Sequence, residues 1–178
     1  MFKITCFIEH SPEKLSAALT GLHFQNKKEG FIWSVDGHIF RIEPFKYQGR
    51  ATNSYGYRVY FDGSIDGGIY LFDLSMGFLN PKVTGVEYNL YHQNRDKNDW
   101  LKDLNSRKSY QKSDTLGIYR KGNVGVVVLD DCVNLQIRAT KKRSLKLIEC
   151  LKQIDMIQEE IKPVEYDLFS ILEEGVAI

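Results

Sequence analysis

Apolar and polar residues alternate from the start of the chain. Phe2, Ile4, Cys6 and Ile8 fall on one side of an extended backbone, and Lys3, Thr5, Phe7 and Glu9 fall on the other. Successive side chains of a strand point to opposite faces, so this period predicts a strand with one apolar face. A short helix is predicted next. Ser11 can cap it, Pro12 suits its first position, Glu13 complements the dipole, and Leu15, Ala18, Leu19 and Leu22 form its buried stripe. Residues 31–35 and 38–42 flank Asp36-Gly37, a dipeptide that tolerates the positive φ angles of a tight hairpin, and Pro44 is expected to close the second strand. Residues 45–56 have no period and read as an exposed loop. A second hairpin is predicted from residues 57–61 and 69–74, joined by a turn over residues 62–68 that contains three glycines.

The second half of the chain begins with a connection over residues 76–82 and a strand in which Val86, Tyr88 and Leu90 alternate with Glu87, Asn89 and Tyr91. Residues 94–110 are polar, with Trp100, Leu101 and Leu104 as apolar anchors, so only a short, shallow helix is predicted there. Residues 116–120 pair with the following run across Lys121-Gly122-Asn123. Val124, Val126, Val127, Val128 and Leu129 have the composition of a strand buried on both faces. After a turn at Asp130-Asp131, Val133, Leu135, Ile137 and Ala139 alternate with polar residues, as in a half-buried strand. Beyond Thr140 the period becomes helical. Leu147, Cys150, Leu151, Ile154, Ile157 and Ile161 share one face of a long helix that Pro163 ends. Lys141, Lys142, Arg143 and Lys146 are expected in its first turn, where a cation gains nothing from the helix dipole.

Strands outnumber helices and come mostly as hairpins. The predicted class is therefore α+β: a single domain over residues 1–178, built on a mainly antiparallel sheet made of hairpins. A long C-terminal helix and a short N-terminal helix pack on that sheet, and residues 163–178 form an acidic tail expected to dock on the domain. No repeat of 20–50 residues and no low-complexity segment divides the chain. A length of 178 residues with 43% hydrophobic content suffices for a core without disulfides or metals.

Net charge is +1, but the charges are segregated. Residues 1–94 carry nine basic and nine acidic side chains, residues 95–146 thirteen and six, and residues 147–178 two and eight. The basic stretch suits an acidic partner or the acidic tail itself. Cys6, Cys132 and Cys150 are odd in number and set in apolar patterns, so they are expected as buried free thiols of a reducing compartment. With no signal pattern at the start and no apolar run of about 18 residues, no membrane partner is expected and a cytoplasmic location is.

Motifs of catalysis are sparse. His10, His23, His38 and His92 never approach metal-ligand spacing, the glycines form no phosphate loop, and neither a metal nor a cofactor is expected. Asp130 and Asp131 followed by Gln136 and Arg138 have the outline of a two-metal nuclease site, but Gln136 is a weak ligand and Arg138 cannot act as a base. Whether the chain is an enzyme is left open, with the balance toward a binding protein. Tyr47, Arg50, Tyr55, Tyr57 and Arg58, spaced by small residues, have the composition of a recognition surface. The leading expectation is thus a non-enzymatic module that binds another protein, of the kind that inhibits or neutralises it as immunity and anti-defence proteins do. The second is nucleic-acid binding or processing through the basic surface of residues 95–146. Arg138, Lys141, Lys142, Arg143 and Lys146 would form its anion site.

The packing expectation has a direct test. If Leu151 and Ile154 lie against strands carrying Val126, Val128, Leu135 and Ile137, Leu151→Ala should lower stability by about 2–5 kcal/mol. A loss below about 1 kcal/mol in chemical denaturation would contradict that packing.

Overall fold

The computed structural model describes residues 1–9, 11–22, 24–27, 30–35, 38–45, 55–91, 96–113, 117–139 and 144–161. The first strand, β1 (Phe2–Ile8), is followed by α1 (Pro12–Gly21), then β2 (Gln25–Lys27), β3 (Gly30–Val35), β4 (His38–Phe45), β5 (Tyr55–Phe61) and α2 (Ile65–Met76). After a single 3-10 turn, Gly77–Leu79, come β6 (Lys82–Tyr91), α3 (Lys97–Ser106), β7 (Gln111–Lys112), β8 (Ile118–Lys121), β9 (Val124–Val128), β10 (Cys132–Arg138) and α4 (Leu147–Ile161).

The strands join into one ten-stranded sheet in the order β2-β3-β4-β5-β1-β6-β10-β9-β8-β7. Every pairing is antiparallel. That order reads the same from either end. Each half runs strand, helix, four strands, helix, and each folds its last strand back beside its first. The two first strands, β1 and β6, then pair at the centre, with Phe2 opposite Tyr88 and Ile4 opposite Val86 and a bulge between Thr5 and Cys6. The duplication is one of topology on the scale of half the chain, beyond the 20–50-residue periods of solenoid repeats.

All four described helices cover one face. Phe2, Ile4 and Ile8 of β1, Phe40 and Ile42 of β4, and Val133, Leu135 and Ile137 of β10 share a continuous buried cluster with Leu15 and Leu19 of α1 and Leu71, Phe72 and Met76 of α2. Trp100 and Leu104 of α3 and Cys150, Leu151, Ile154, Ile157 and Ile161 of α4 complete it. The alternation in β1, β6 and β10 therefore has a single cause, a core on one side only. No described helix is long and apolar enough to cross a membrane.

The strands at 2–8, 30–35, 38–45, 55–61, 82–91, 118–121, 124–128 and 132–138 and the helices at 12–21 and 97–106 are where the pattern put them, within a few residues. Pro44 does not end its strand, which continues to Phe45 with Pro44 opposite Tyr57. Three expectations need correction. Residues 65–76 form a helix in place of the second strand of a hairpin. The Ser64 hydroxyl caps it by accepting from the Gly67 backbone N–H at 3.1 Å, and Asp66 sits in its first turn. Ile65, Gly68, Leu71, Phe72, Ser75 and Met76 are buried at helical spacing, so tertiary burial overrides the β-forming look of Ile69-Tyr70-Leu71-Phe72.

The second correction concerns the C-terminal helix, which has fifteen residues and is not the long helix expected. It begins at Leu147, so Lys146 precedes it and Glu149 occupies its first turn. Lys146 pairs with Glu149 at 3.2 Å, and Lys141, Lys142 and Arg143 lie outside the described residues. Its buried stripe is as expected. Its far end is tied down at Glu160, whose backbone carbonyl accepts from Arg107 Nη1 at 2.5 Å and whose carboxylate accepts from Ser109 Oγ at 3.2 Å and pairs with Lys121. Burial alone would raise this carboxyl, but Lys121 and the hydroxyl donors outweigh it and hold Glu160 below the usual range. Third, β9 is not buried on both faces, because Val127 is half-buried and Leu129, just past its end, is exposed. The expected docking of residues 163–178 falls outside the described residues.

Gly68 shows how closely α2 approaches the sheet. A Cβ built there would lie 2.4 Å from Phe2 Cδ1 and 3.1 Å from Phe61 Cδ1, both on rings packed in the core. Gly to Ala in a helix interior ordinarily stabilises by about 0.5–1 kcal/mol. Gly68→Ala should instead destabilise by more than about 1 kcal/mol through overpacking. A thermal melt at or above that of the unaltered protein would show that α2 can move off Phe2.

Candidate functional site

Because the core lies on one side, every second residue of each strand faces away from the helices. In β1 these are Lys3, Thr5 and Phe7, in β4 Arg41, Glu43 and Phe45, and in β5 Arg58 and Tyr60. In β6 they are Glu87, Asn89 and Tyr91, and in β10 Cys132, Asn134, Gln136 and Arg138. Strand register then lays these side chains next to one another. Lys3 stands opposite Glu87, Glu87 opposite Gln136, Asn89 opposite Asn134, and Arg41 opposite Tyr60.

Two kinds of interaction organise this face, which carries no helix among the described residues. On β4 and β5, cations lie over rings, with the Arg41 guanidinium 4.7 Å from the centre of Tyr60 and that of Arg58 4.9 Å from the centre of Phe45. Phe45 meets Phe7 edge-on at 5.7 Å, and Arg41 also pairs with Glu43 at 2.9 Å. On β6 and β10 the side chains form a ladder. Arg138 Nη2 donates to Gln136 Oε1 at 3.2 Å, Gln136 Nε2 to Asn134 Oδ1 at 2.6 Å, and Asn134 Nδ2 to Asn89 Oδ1 at 2.5 Å. Asn134 is 7% exposed, and this ladder is what makes a nearly buried amide tolerable. Between the two regions, Lys3 Nζ donates to Glu87 Oε2 at 2.9 Å. A cavity of about 270 Å³ opens there, lined by Met1, Lys3, Tyr60, Glu87, Asn89 and Asn134 among others.

Of the residues expected to form a Tyr/Arg recognition surface, three are described. Tyr47 and Arg50 lie outside the described residues. Tyr55, Tyr57 and Arg58 belong to β5, whose alternation sends Tyr55 and Tyr57 to the helix side and Arg58 to the open face. Tyr57 is a correction, because it is completely buried against the core, and burial pushes its hydroxyl up to about 12. It is a packing residue and no surface anchor. Of the expected anion site, Arg138 and Lys146 line a smaller cavity of about 170 Å³, together with Glu149, whose carboxylate already pairs with Lys146.

Several described cations of the basic stretch over residues 95–146 are engaged by carboxylates. Lys97 pairs with Asp130 at 2.7 Å, Arg107 with Asp103 at 3.0 Å, and Lys121 with Glu160. Lys97 holds the exposed Asp130 carboxyl below its ordinary range. Gln136 and Arg138, considered above for metal chemistry, are spent in the amide ladder, and the described residues contain no group of three metal-ligating side chains.

Lys3, Glu87, Asn89 and Asn134 were not singled out in the sequence. Each lies at an ordinary polar position of an alternating strand, and only the β1–β6–β10 register brings them together. The recurrence of amides at these positions, Asn89, Asn134 and Gln136, was the available signal. Compared with models of protein families, with curated proteins and with solved structures, the chain matches none.

The thiols are poor nucleophiles in place. Burial pushes Cys6 up to about 12 and Cys150 to about 11, and burial with the Asp131 carboxylate pushes Cys132 to about 11. At pH 8 all three should resist a thiol reagent in the folded protein and react on denaturation. Rapid labelling of Cys6 or Cys150 under native conditions would remove that residue from the core.

Proposed function

We propose that the protein binds single-stranded nucleic acid on the sheet face opposite its described helices. The observation that carries this reading is the make-up of that face. Lys3, Arg41, Arg58, Lys82, Arg120 and Arg138 project from it, against the carboxylates of Glu43 and Glu87. Between them stand the rings of Phe7, Phe45, Tyr60 and Tyr91 and the amides of the ladder. Cations track a phosphate backbone, rings and guanidinium planes stack on bases, and amides address base edges, and a single strand needs all three along an extended surface. The basic surface is thus drawn from both halves of the sheet. Residues 95–146 supply part of it, through Arg120 and Arg138.

A second reading, a module that binds and neutralises another protein, is favoured by one feature of the other side. Tyr70, Leu74 and Phe78 are 67%, 43% and 60% exposed, four residues apart along α2 and the turn after it. An apolar ridge of this kind suits a protein contact better than a nucleic acid.

Salt dependence tests the first reading. The open face carries six cations against two carboxylates, an excess of four, so affinity for a 15-nucleotide single strand should fall with a slope of about −3 in log K against log salt. Arg58→Glu and Arg120→Glu should each lower affinity more than about fivefold while the melting temperature stays that of the unaltered protein. Binding indifferent to salt and to both reversals, measured by fluorescence anisotropy, would reject this face as the nucleic-acid surface.

A further inference from the structure

The amide ladder has a direction. Arg138 carries only donors, so Gln136 must turn its oxygen toward it, and the same constraint passes along the row to Asn134 and Asn89. The Asn89 oxygen is engaged by Asn134, which leaves the Asn89 Nδ2 group as a donor with no partner among the described residues. Asn89 lines the cavity of about 270 Å³. Glu87 is on the same face of β6, and Lys3 stands opposite it and donates to Glu87 Oε2 at 2.9 Å, leaving Glu87 Oε1 as an acceptor. The cavity wall therefore reads donor, acceptor, donor across Lys3, Glu87 and Asn89. Tyr60 supplies a ring at its edge.

We propose that this cavity is a subsite for one base whose edge reads acceptor, donor, acceptor, the imide edge of thymine and uracil. The inference rests on the nucleic-acid reading above and names what that surface selects. The cavity is smaller than pockets for drug-sized molecules, about 300–1,000 Å³, and has room for a single small ring system. Lys3 donates to one imide carbonyl, Glu87 accepts the imide N–H, and Asn89 donates to the second carbonyl. Guanine offers a donor where Asn89 also donates. Cytosine and adenine place a donor against the Lys3 ammonium. Each mismatch buries an unpaired polar group, and a site built on hydrogen bonds rejects such ligands strongly. The ladder strengthens the contact at its end, because aligned amides polarise one another away from the Arg138 charge.

Binding of fluorescent 15-mers of deoxythymidine, deoxycytidine and deoxyadenosine to the full chain at one salt concentration tests this. Deoxythymidine should bind at least tenfold more tightly than the other two. Asn89→Asp keeps the acceptor that Asn134 needs but replaces the free donor with an acceptor. It should erase the deoxythymidine preference and raise affinity for an alternating deoxyadenosine–deoxyguanosine 15-mer above that for deoxyadenosine alone. Asn89→Ala should lose the preference without gaining guanine, and serves should the aspartate variant fail to fold. Equal binding of the three homopolymers with the salt slope intact would overturn the subsite and leave the surface standing. Retention of the deoxythymidine preference in Asn89→Ala would overturn it too. No binding of any oligonucleotide would overturn both.

Discussion

Everything on the open face depends on one pairing, that of β1 with β6 at the middle of the sheet. Each half of the chain returns its last strand to its first, so each half has its first strand at one edge, and those two edges satisfy one another. The pairing sets which residues meet. Phe2 opposite Tyr88 and Ile4 opposite Val86 put Lys3 opposite Glu87, and β10 then brings Asn134 against Asn89. A slip of one residue would turn Ile4 outward and bury Lys3, so the hydrophobic cost of the wrong register protects the polar arrangement on the other side. The bulge between Thr5 and Cys6 lies past these pairs and leaves them in step. The outer edges are blunt, since β2 has three residues and β7 two, and this discourages growth of the sheet into another molecule.

A core on one side also explains what the chain does with its polar residues. Asn134 sits between Val133 and Leu135, deep enough that an unpaired amide would be costly, and it is kept by hydrogen bonds on both its oxygen and its nitrogen. Lys3 and Glu87 are each about one fifth exposed and pair across the strands. Such pairs contribute little to stability at the surface, and their main consequence is orientation. The carboxylate is held by Lys3 through one oxygen, at a cavity that Glu87 helps to line.

Most strands were legible because one-sided burial writes a period of two into the sequence, as in residues 2–8 and 133–139. The helix at Ile65–Met76 was hidden by Gly67-Gly68, which reads as a turn, and by the aromatic and β-branched residues after it. Its burial pattern has the helical period, but Gly68 belongs there for a reason no local rule contains, the ring of Phe2 against the helix backbone. The site was less legible than the fold. Tyr55, Tyr57 and Arg58 look like one cluster in sequence, yet adjacent residues of a strand point apart, and Tyr57 goes wholly to the core. The residues that do meet, Lys3 with Glu87 and Asn89 with Asn134, are separated by 84 and 45 positions, so local spacing carries no trace of them.

The topological duplication bears on what a ligand would meet. Two halves that place equivalent strands on either side of β1 and β6 give the open face the same backbone framework to left and right, yet the side chains differ. The first half presents guanidinium groups over rings, Arg41 on Tyr60 and Arg58 on Phe45. The second presents the directed amide ladder running from Arg138 to Asn89. Stacked cations and rings hold a chain of phosphates and bases with little regard for sequence, whereas a fixed row of donors and acceptors discriminates among edges. On the nucleic-acid reading proposed above, a symmetric scaffold with unlike halves would separate affinity from selection, with the selecting end at the centre of the sheet, where the β1–β6 register fixes its side chains.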